Sequence, residues 1–204
     1  MRARAIIAAF IVAIGCAVQA NAQVLAVKAG INVSNITQDA TFLPDDELVT
    51  SPGFMVGAQI RRALNRVVQL QIEGLFTQKG NSFENQSGDL HDVLVINYLE
   101  VPVLARVGVM QWGENAVSIH GGPVFSLKAG SRETNNDHGV PRQLMLKTFD
   151  LGLAIGGQIE MKKLIIGTRY TVGLSNIFAD DPALFGFSEM KNRTFTVFAG
   201  YRLR

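Results

Sequence analysis

The chain of 204 residues contains one cysteine, Cys16, and it sits in the apolar N-terminal stretch. One cysteine allows no internal disulfide, and beyond that stretch there is no thiol for nucleophilic or redox chemistry. Charge is sparse, at 18% of residues, and the formal net charge is only +2, so no bulk field points to nucleic acid or to an acidic substrate. The three histidines are His91, His120 and His138, and no two of them have metal-ligand spacing. No Gly-rich phosphate loop occurs: Gly152, Gly156 and Gly157 do not form GxGxxG, and no GK[ST] follows them. Cofactor motifs are missing, as are heptads and any apolar helical stripe lasting three turns.

What is present begins with a three-part N-terminus. Arg2 and Arg4 form a basic start, Ala5 to Val18 is an apolar run of 14 residues, and Ala20 and Ala22 stand in A-x-A spacing. This predicts a secretory signal peptide over 1–22, since the run is short for a membrane helix. A tethering helix and lipidation at Cys16 are the alternatives. Cleavage after Ala22 takes away two of 19 basic residues and leaves 17 against 17 acidic ones in a near-neutral domain over 23–204.

Within that domain the apolar residues recur with period two, the strand signature. Eight segments show it: Val24–Ser34, Gly53–Ala63, Val68–Thr77, Val93–Val107, Ala116–Lys128, Lys147–Glu160, Leu164–Leu174 and Arg193–Leu203. Asn97 breaks the pattern of the fourth and predicts a bulge near Pro102. The connections alternate. Residues 35–52, 78–92, 129–146 and 175–192 are long and polar, and those near 64–67, 108–115 and 161–163 are short. Long and short ends in alternation predict an all-β fold, an eight-stranded antiparallel up-and-down transmembrane β-barrel with short turns on the periplasmic side. The Gly152, Gly156 and Gly157 stretch then reads as a hairpin strand, its glycines on the narrow inner wall.

Alternation alone does not say which face is inside. A signal peptide without cysteine, in-strand polar positions rich in Gly, Gln and Thr, and aromatics near strand ends favour the membrane. Phe54, Phe76, Tyr98, Phe149, Tyr170, Phe195 and Tyr201 would form the interfacial girdle. A soluble periplasmic barrel carrying an apolar ligand is the alternative. If the apolar face meets lipid, Arg61, Glu73, Glu100, Arg106, Asp150, Glu160, Arg169 and Arg202 face the interior. Charges in a narrow interior need partners, so these eight predict a paired plug, with a small-solute path as the competing reading.

Several stretches resemble one family: "VKAGINVSN", "LQIEGLFTQKG", "NYLEVPVLARVG", "IHGGPVFSLKAG", "FDLGLAIGGQIE" and "GTRYTVGLSNI" among them, in order along the domain. They resemble outer-membrane β-barrels that include PorT-like proteins. The resemblance implies an eight-stranded barrel in the outer membrane, contact with outer-membrane lipid, and insertion by the barrel assembly machinery. It suggests a non-enzymatic structural, adhesive or assembly role, linked in PorT-like members to protein secretion. One departure is the C-terminus, Tyr201-Arg202-Leu203-Arg204, where such barrels often end on an aromatic residue.

Other features are weighed against these. Phe42, Leu43, Leu184, Phe185 and Phe187 are apolar residues on long loops, a candidate contact surface for a protein partner if they do not pack on one another. Asp45-Asp46-Glu47 and Asp180-Asp181 read as solvated loop clusters. His120, Ser118 and Asp150 are the residues from which a membrane-embedded hydrolase would have to be built.

Overall fold

The computed structural model describes residues 24–38, 48–84, 90–135, 147–175 and 190–204. The expected signal peptide and the loop residues Phe42, Leu43, Leu184, Phe185 and Phe187 lie outside the described residues. Eight strands follow one another: β1 Val24–Gln38, β2 Leu48–Ala63, β3 Val68–Glu84, β4 Leu90–Trp112, β5 Asn115–Asn135, β6 Phe149–Met161, β7 Leu164–Gly173 and β8 Met190–Arg202. Each pairs with its sequence neighbours, and β1 pairs antiparallel with β8 from Ala26↔Arg202 to Gln38↔Met190, so the barrel is closed. Closure leaves no sheet edge, the condition for placing strands in hydrocarbon.

The polarity of the two faces is inverted relative to a soluble barrel. Among the described residues, buried positions hold 22 polar or charged side chains against 10 apolar ones, while large apolar side chains such as Ile31, Ile119, Leu153, Ile155 and Val197 are exposed. Phe54 and Phe76 meet in a tilted pair on the outer wall with ring centroids 6.0 Å apart. Leu70, Ile72 and Leu151 also lie on the outer face, in register with Ala105, Val103 and Phe125 of the adjoining strands. A water-soluble barrel carrying an apolar ligand needs the opposite arrangement.

Five expectations need correction. The strands run well into stretches expected to be long loops. β4 has 23 residues and β5 has 21, about twice the ~9–11 that cross a bilayer. Residues 129–135 alternate no apolar side chains, so period-two reading stops where the lipid stops, although backbone pairing continues from Asn97↔Gly130 to Asp92↔Asn135. Conversely, the turn expected near 108–115 shrinks to Gly113 and Glu114. The bulge expected near Pro102 is absent: Ile96, Tyr98, Glu100, Pro102, Leu104 and Arg106 all point inward without interruption, and the irregularities in β4–β5 pairing fall at Asn97/Tyr98 and Gly108/Met110. Asn97 does face outward, where its Oδ1 accepts from Gln78 Nε2 of the neighbouring strand at 3.3 Å. Tyr98 is not a girdle residue; it is 2% exposed, inside the barrel. Finally, Gly157 lies on the outer wall, in register with Ile119, and only Gly152 and Gly156 line the inner one.

The inner-wall glycines make space. A Cβ at Gly156 would lie 2.3 Å from Thr168 O and 2.6 Å from His120 Nε2. At Gly167 it would lie 2.6 Å from Phe198 Cζ. The backbone of β6 and β7 thus yields room for two large inward side chains.

Two outcomes follow from this wall. Ile155→Arg, at a mid-strand outward position, should destabilise the folded barrel in lipid vesicles by roughly 2–4 kcal/mol in urea titrations, whereas in a water-exposed position the change would be nearly neutral. Gly156→Val should lower stability in the same assay, by roughly 1–3 kcal/mol as overpacking does.

Candidate functional site

The lumen is the site. Period two sends alternate residues of every strand into it, and among the described residues nine of those buried there are charged: Lys28, Arg61, Lys79, Arg106 and Arg169 against Glu73, Glu100, Asp150 and Glu160. They gather in three clusters along the barrel.

The first cluster lies near the short turns. Arg61 stands two residues from the end of β2 and Glu160 one from the end of β6. Both Arg61 guanidinium nitrogens, Nη1 and Nη2, donate to the two oxygens of the Glu160 carboxylate, the second at 3.1 Å. Arg106 Nη2 reaches the same carboxylate at 2.8 Å, and its other nitrogens donate to Ser118 Oγ at 2.8 Å and Gln69 Oε1 at 2.5 Å. Gln158 Nε2 adds a fourth donor to Glu160 at 2.9 Å.

The second cluster is centred on Glu73. Arg169 donates to it in fork geometry, at 2.9 and 2.7 Å, Lys28 Nζ donates at 2.9 Å and Gln71 Nε2 at 2.5 Å. Phe198 floors this cluster. Lys28 Nζ lies 3.8 Å from its ring centroid and the Arg169 guanidinium 5.7 Å, both within cation–π range. In the third cluster Lys79 Nζ pairs with Glu100 at 2.7 Å, and Thr77 and Ser126 hydroxyls donate to the same carboxylate at 2.9 and 3.0 Å. Asn192 donates to Asp150 Oδ2 at 3.1 Å and reaches Tyr98 Oη at 3.5 Å.

The strands so joined matter more than the count of bonds. In a closed ring of eight, β2 faces β6, β3 faces β7 and β4 faces β8. Arg61–Glu160, Glu73–Arg169 and Tyr98–Asn192 span those three diameters. Lys28 and Arg106 close the shorter chords from β1 to β3 and from β4 to β6. The lumen is therefore cross-braced and filled. A cavity of about 10 Å³ remains beside Thr77, Lys79, Glu100 and Arg169, roughly the size of one water.

Of the eight charges expected inside, seven are buried in the lumen and Arg202 is not. It shares the inward face but sits half-buried at the barrel mouth, with no side-chain ion pair among the described residues. Lys28 and Lys79 also belong to the network. Lys28 lies on the polar face of the first segment, so its signal was there to read. Lys79 falls within 78–92, which reads as loop by composition although it continues β3. Tyr98 shares its face with Glu100, two residues on, and that spacing places it inside.

The three residues considered for hydrolysis are not assembled. Ser118 Oγ accepts from Arg106, and neither ring nitrogen of His120 has a hydrogen-bond partner among the described residues. His120 is opposite Gly156, and Asp150 lies six residues further along β6, about 20 Å away at strand rise. No group of three His, Cys, Asp or Glu able to hold a metal occurs among the described residues.

The Glu73 cluster offers the sharpest test. Glu73→Gln leaves Lys28 and Arg169 facing one another without a counter-charge and should cost about 3–5 kcal/mol in urea unfolding from vesicles. Adding Lys28→Met to that variant should recover part of the loss.

None of the curated proteins compared with the chain matches it in sequence. Among solved structures it is similar to Ail, the attachment invasion locus protein of Yersinia pestis, at 15% identity and TM-score 0.45, covering 88% of this chain and 98% of that one. It is also similar to OprG from Pseudomonas aeruginosa, at 10% identity and TM-score 0.45, covering 90% and 97%. Neisserial surface protein A is a third, at 10% and TM-score 0.49, covering 87% and 96%. The family described as outer membrane protein beta-barrel domain matches residues 20–179. A closed eight-stranded barrel, apolar outside and charged within, matched over that span, belongs to the outer membrane protein beta-barrel domain family and resides in the outer membrane.

Proposed function

We propose that the chain is a non-enzymatic, non-conducting outer-membrane scaffold whose barrel anchors surface-exposed segments for an adhesive or assembly role. The resemblance to PorT-like proteins favours assembly of a secretion apparatus. The observation that carries the reading is the braced lumen: ion pairs and hydrogen bonds cross three diameters, and a cavity beside Arg169 holds only about 10 Å³. A solute path needs continuous space and weak, exchangeable sites. Here Glu73, Glu100 and Glu160 are each held by several donors.

Extended strands support the same reading. With β4 and β5 continuing past the length a bilayer requires, the hairpin carries structured backbone beyond the membrane on the side of the long connections. Rigid backbone there suits the presentation of a contact surface to a partner, which loops alone present less well.

Two measurements test it. Full-length protein reconstituted in planar bilayers should give no discrete conductance steps; reproducible steps would establish the narrow pore instead. Cells lacking the chain should release less of their secreted protein cargo, and unchanged secretion would remove the secretion role while leaving adhesion.

A further inference from the structure

The end of the barrel that carries the short turns is basic, and unevenly so. Arg62 closes β2 on the outer face, Arg66 lies in the turn at 64–67, Lys162 and Lys163 form the β6–β7 turn, and Arg202 and Arg204 end the chain. Five of the six are exposed and Arg202 is half-buried. None enters an ion pair among the described residues. They occupy three of the four positions around this rim: the β6–β7 turn, the β8 end beside β1, and the β2–β3 turn. Arg202 N donates to Lys163 O at 2.7 Å, and Arg204 is tied to β1 by Leu25 N donating to its carbonyl at 2.9 Å. The β2–β3 turn follows next around the ring. The fourth position, the β4–β5 turn across from the β8–β1 seam, carries Glu114 and no cation.

Two further observations say what faces this crescent. Apolar side chains of the same rim are open: Leu64, Val67, Tyr201 and Leu203 are all about half exposed. Lys163 Nζ stands 6.0 Å from the Tyr201 ring centroid, an aromatic and a cation side by side as at a lipid headgroup boundary. And Lys162 holds φ at +55°, where glycine would sit without cost; the opposite turn does use glycine, Gly113 at φ +57°. A lysine is retained at a position that favours glycine on backbone grounds alone.

We propose that this crescent binds anionic phospholipid headgroups of the periplasmic leaflet, the phosphates meeting Arg66, Lys162, Lys163 and Arg204 while the acyl chains lie against the apolar residues above them. An acidic protein or the cell wall would also answer positive charge, but neither accounts for open apolar and aromatic side chains interleaved with the cations. The crescent therefore gathers anionic lipid along one side of the annulus around the barrel.

The test uses full-length protein in micelles holding equal amounts of phosphatidylglycerol and phosphatidylcholine, with retained lipid counted by native mass spectrometry. The wild type should retain phosphatidylglycerol with a preference of at least about fivefold, the scale of a single engaged cation near an anionic surface. The preference should fall in high salt. The quadruple variant Arg66→Gln, Lys162→Gln, Lys163→Gln, Arg204→Gln touches no lumen residue and should keep heat-modifiable gel mobility while losing the preference. Equal retention of both lipids by the wild type overturns the proposal, and so does a preference that survives in the folded variant. Rim-dependent binding to purified sacculi without any lipid preference would assign the crescent to the cell wall and overturn it as well.

Discussion

A charge held inside a narrow cylinder of paired backbone has nowhere to go but to another charge. The bilayer outside rejects it, and the lumen leaves too little water to solvate it. This constraint sets the interior of the barrel. Glu73 and Glu160 each meet four donors, and the charged partners come from strands that do not adjoin in the sheet. Backbone pairing can fix only neighbouring strands. The ion pairs fix opposite ones, and that specifies which residues of β2 and β3 lie level with which of β6 and β7. Buried ion pairs add little net stability when compared with well-packed apolar groups, because desolvation consumes most of the attraction. Their contribution here is registry: a one-residue slip of β3 would turn Glu73 toward lipid and leave Arg169 and Lys28 unpaired.

The same constraint explains the sizes of the inward residues. Long cations need room to reach across, so small residues stand where they pass. Gly156 lies under His120, and Gly167 lies against the Phe198 ring on which Lys28 rests. The stretch from Asp150 to Leu174, which by composition alone resembles a phosphate loop or a helix-packing face, is therefore the space-giving wall of the lumen. Its glycines and the ionic clusters form a single arrangement. Filling either site with a Cβ presses on backbone carbonyl groups as well as on the side chain that uses the gap.

How much of this is legible in the sequence follows from where lipid imposes a pattern. Across the bilayer, outward positions must be apolar and inward ones are free to be polar, so period two is clear and the facing of Arg61, Glu73, Glu100, Arg106, Asp150, Glu160 and Arg169 can be read directly. Beyond the bilayer both faces of a strand meet water. The upper parts of β4 and β5 then resemble loop, and Lys79, at the edge of that zone, is missed. Tyr98 is misplaced for another reason. An aromatic near a strand end suits the interface by type, but its parity with Glu100 puts it inside, and parity decides because it is imposed by the pleat. Asn97 misleads in the opposite direction. A polar residue on the lipid face suggests a bulge, yet the neighbouring strand supplies Gln78 as its partner, and pairing between strands is not visible along a single strand. The partnerships across the lumen are not legible for the same reason, since Glu73 and Arg169 are 96 residues apart.

Closure of the lumen moves function to the two ends of the barrel, and the ends are built differently. At one, β4 and β5 carry the sheet past the membrane, so that whatever contacts a partner there starts from ordered backbone rather than from the lipid surface. At the other, turns of two to four residues keep the chain close to the headgroups, and their side chains are basic on one side and acidic on the other. An uneven rim gives the surrounding lipid two unlike sides, with anionic headgroups favoured along the crescent and not at the β4–β5 turn. The two longest strands, β4 and β5, are joined by the one short turn among the described residues that carries no cation, so the extended backbone at one end and the basic rim at the other are built on different parts of the same ring.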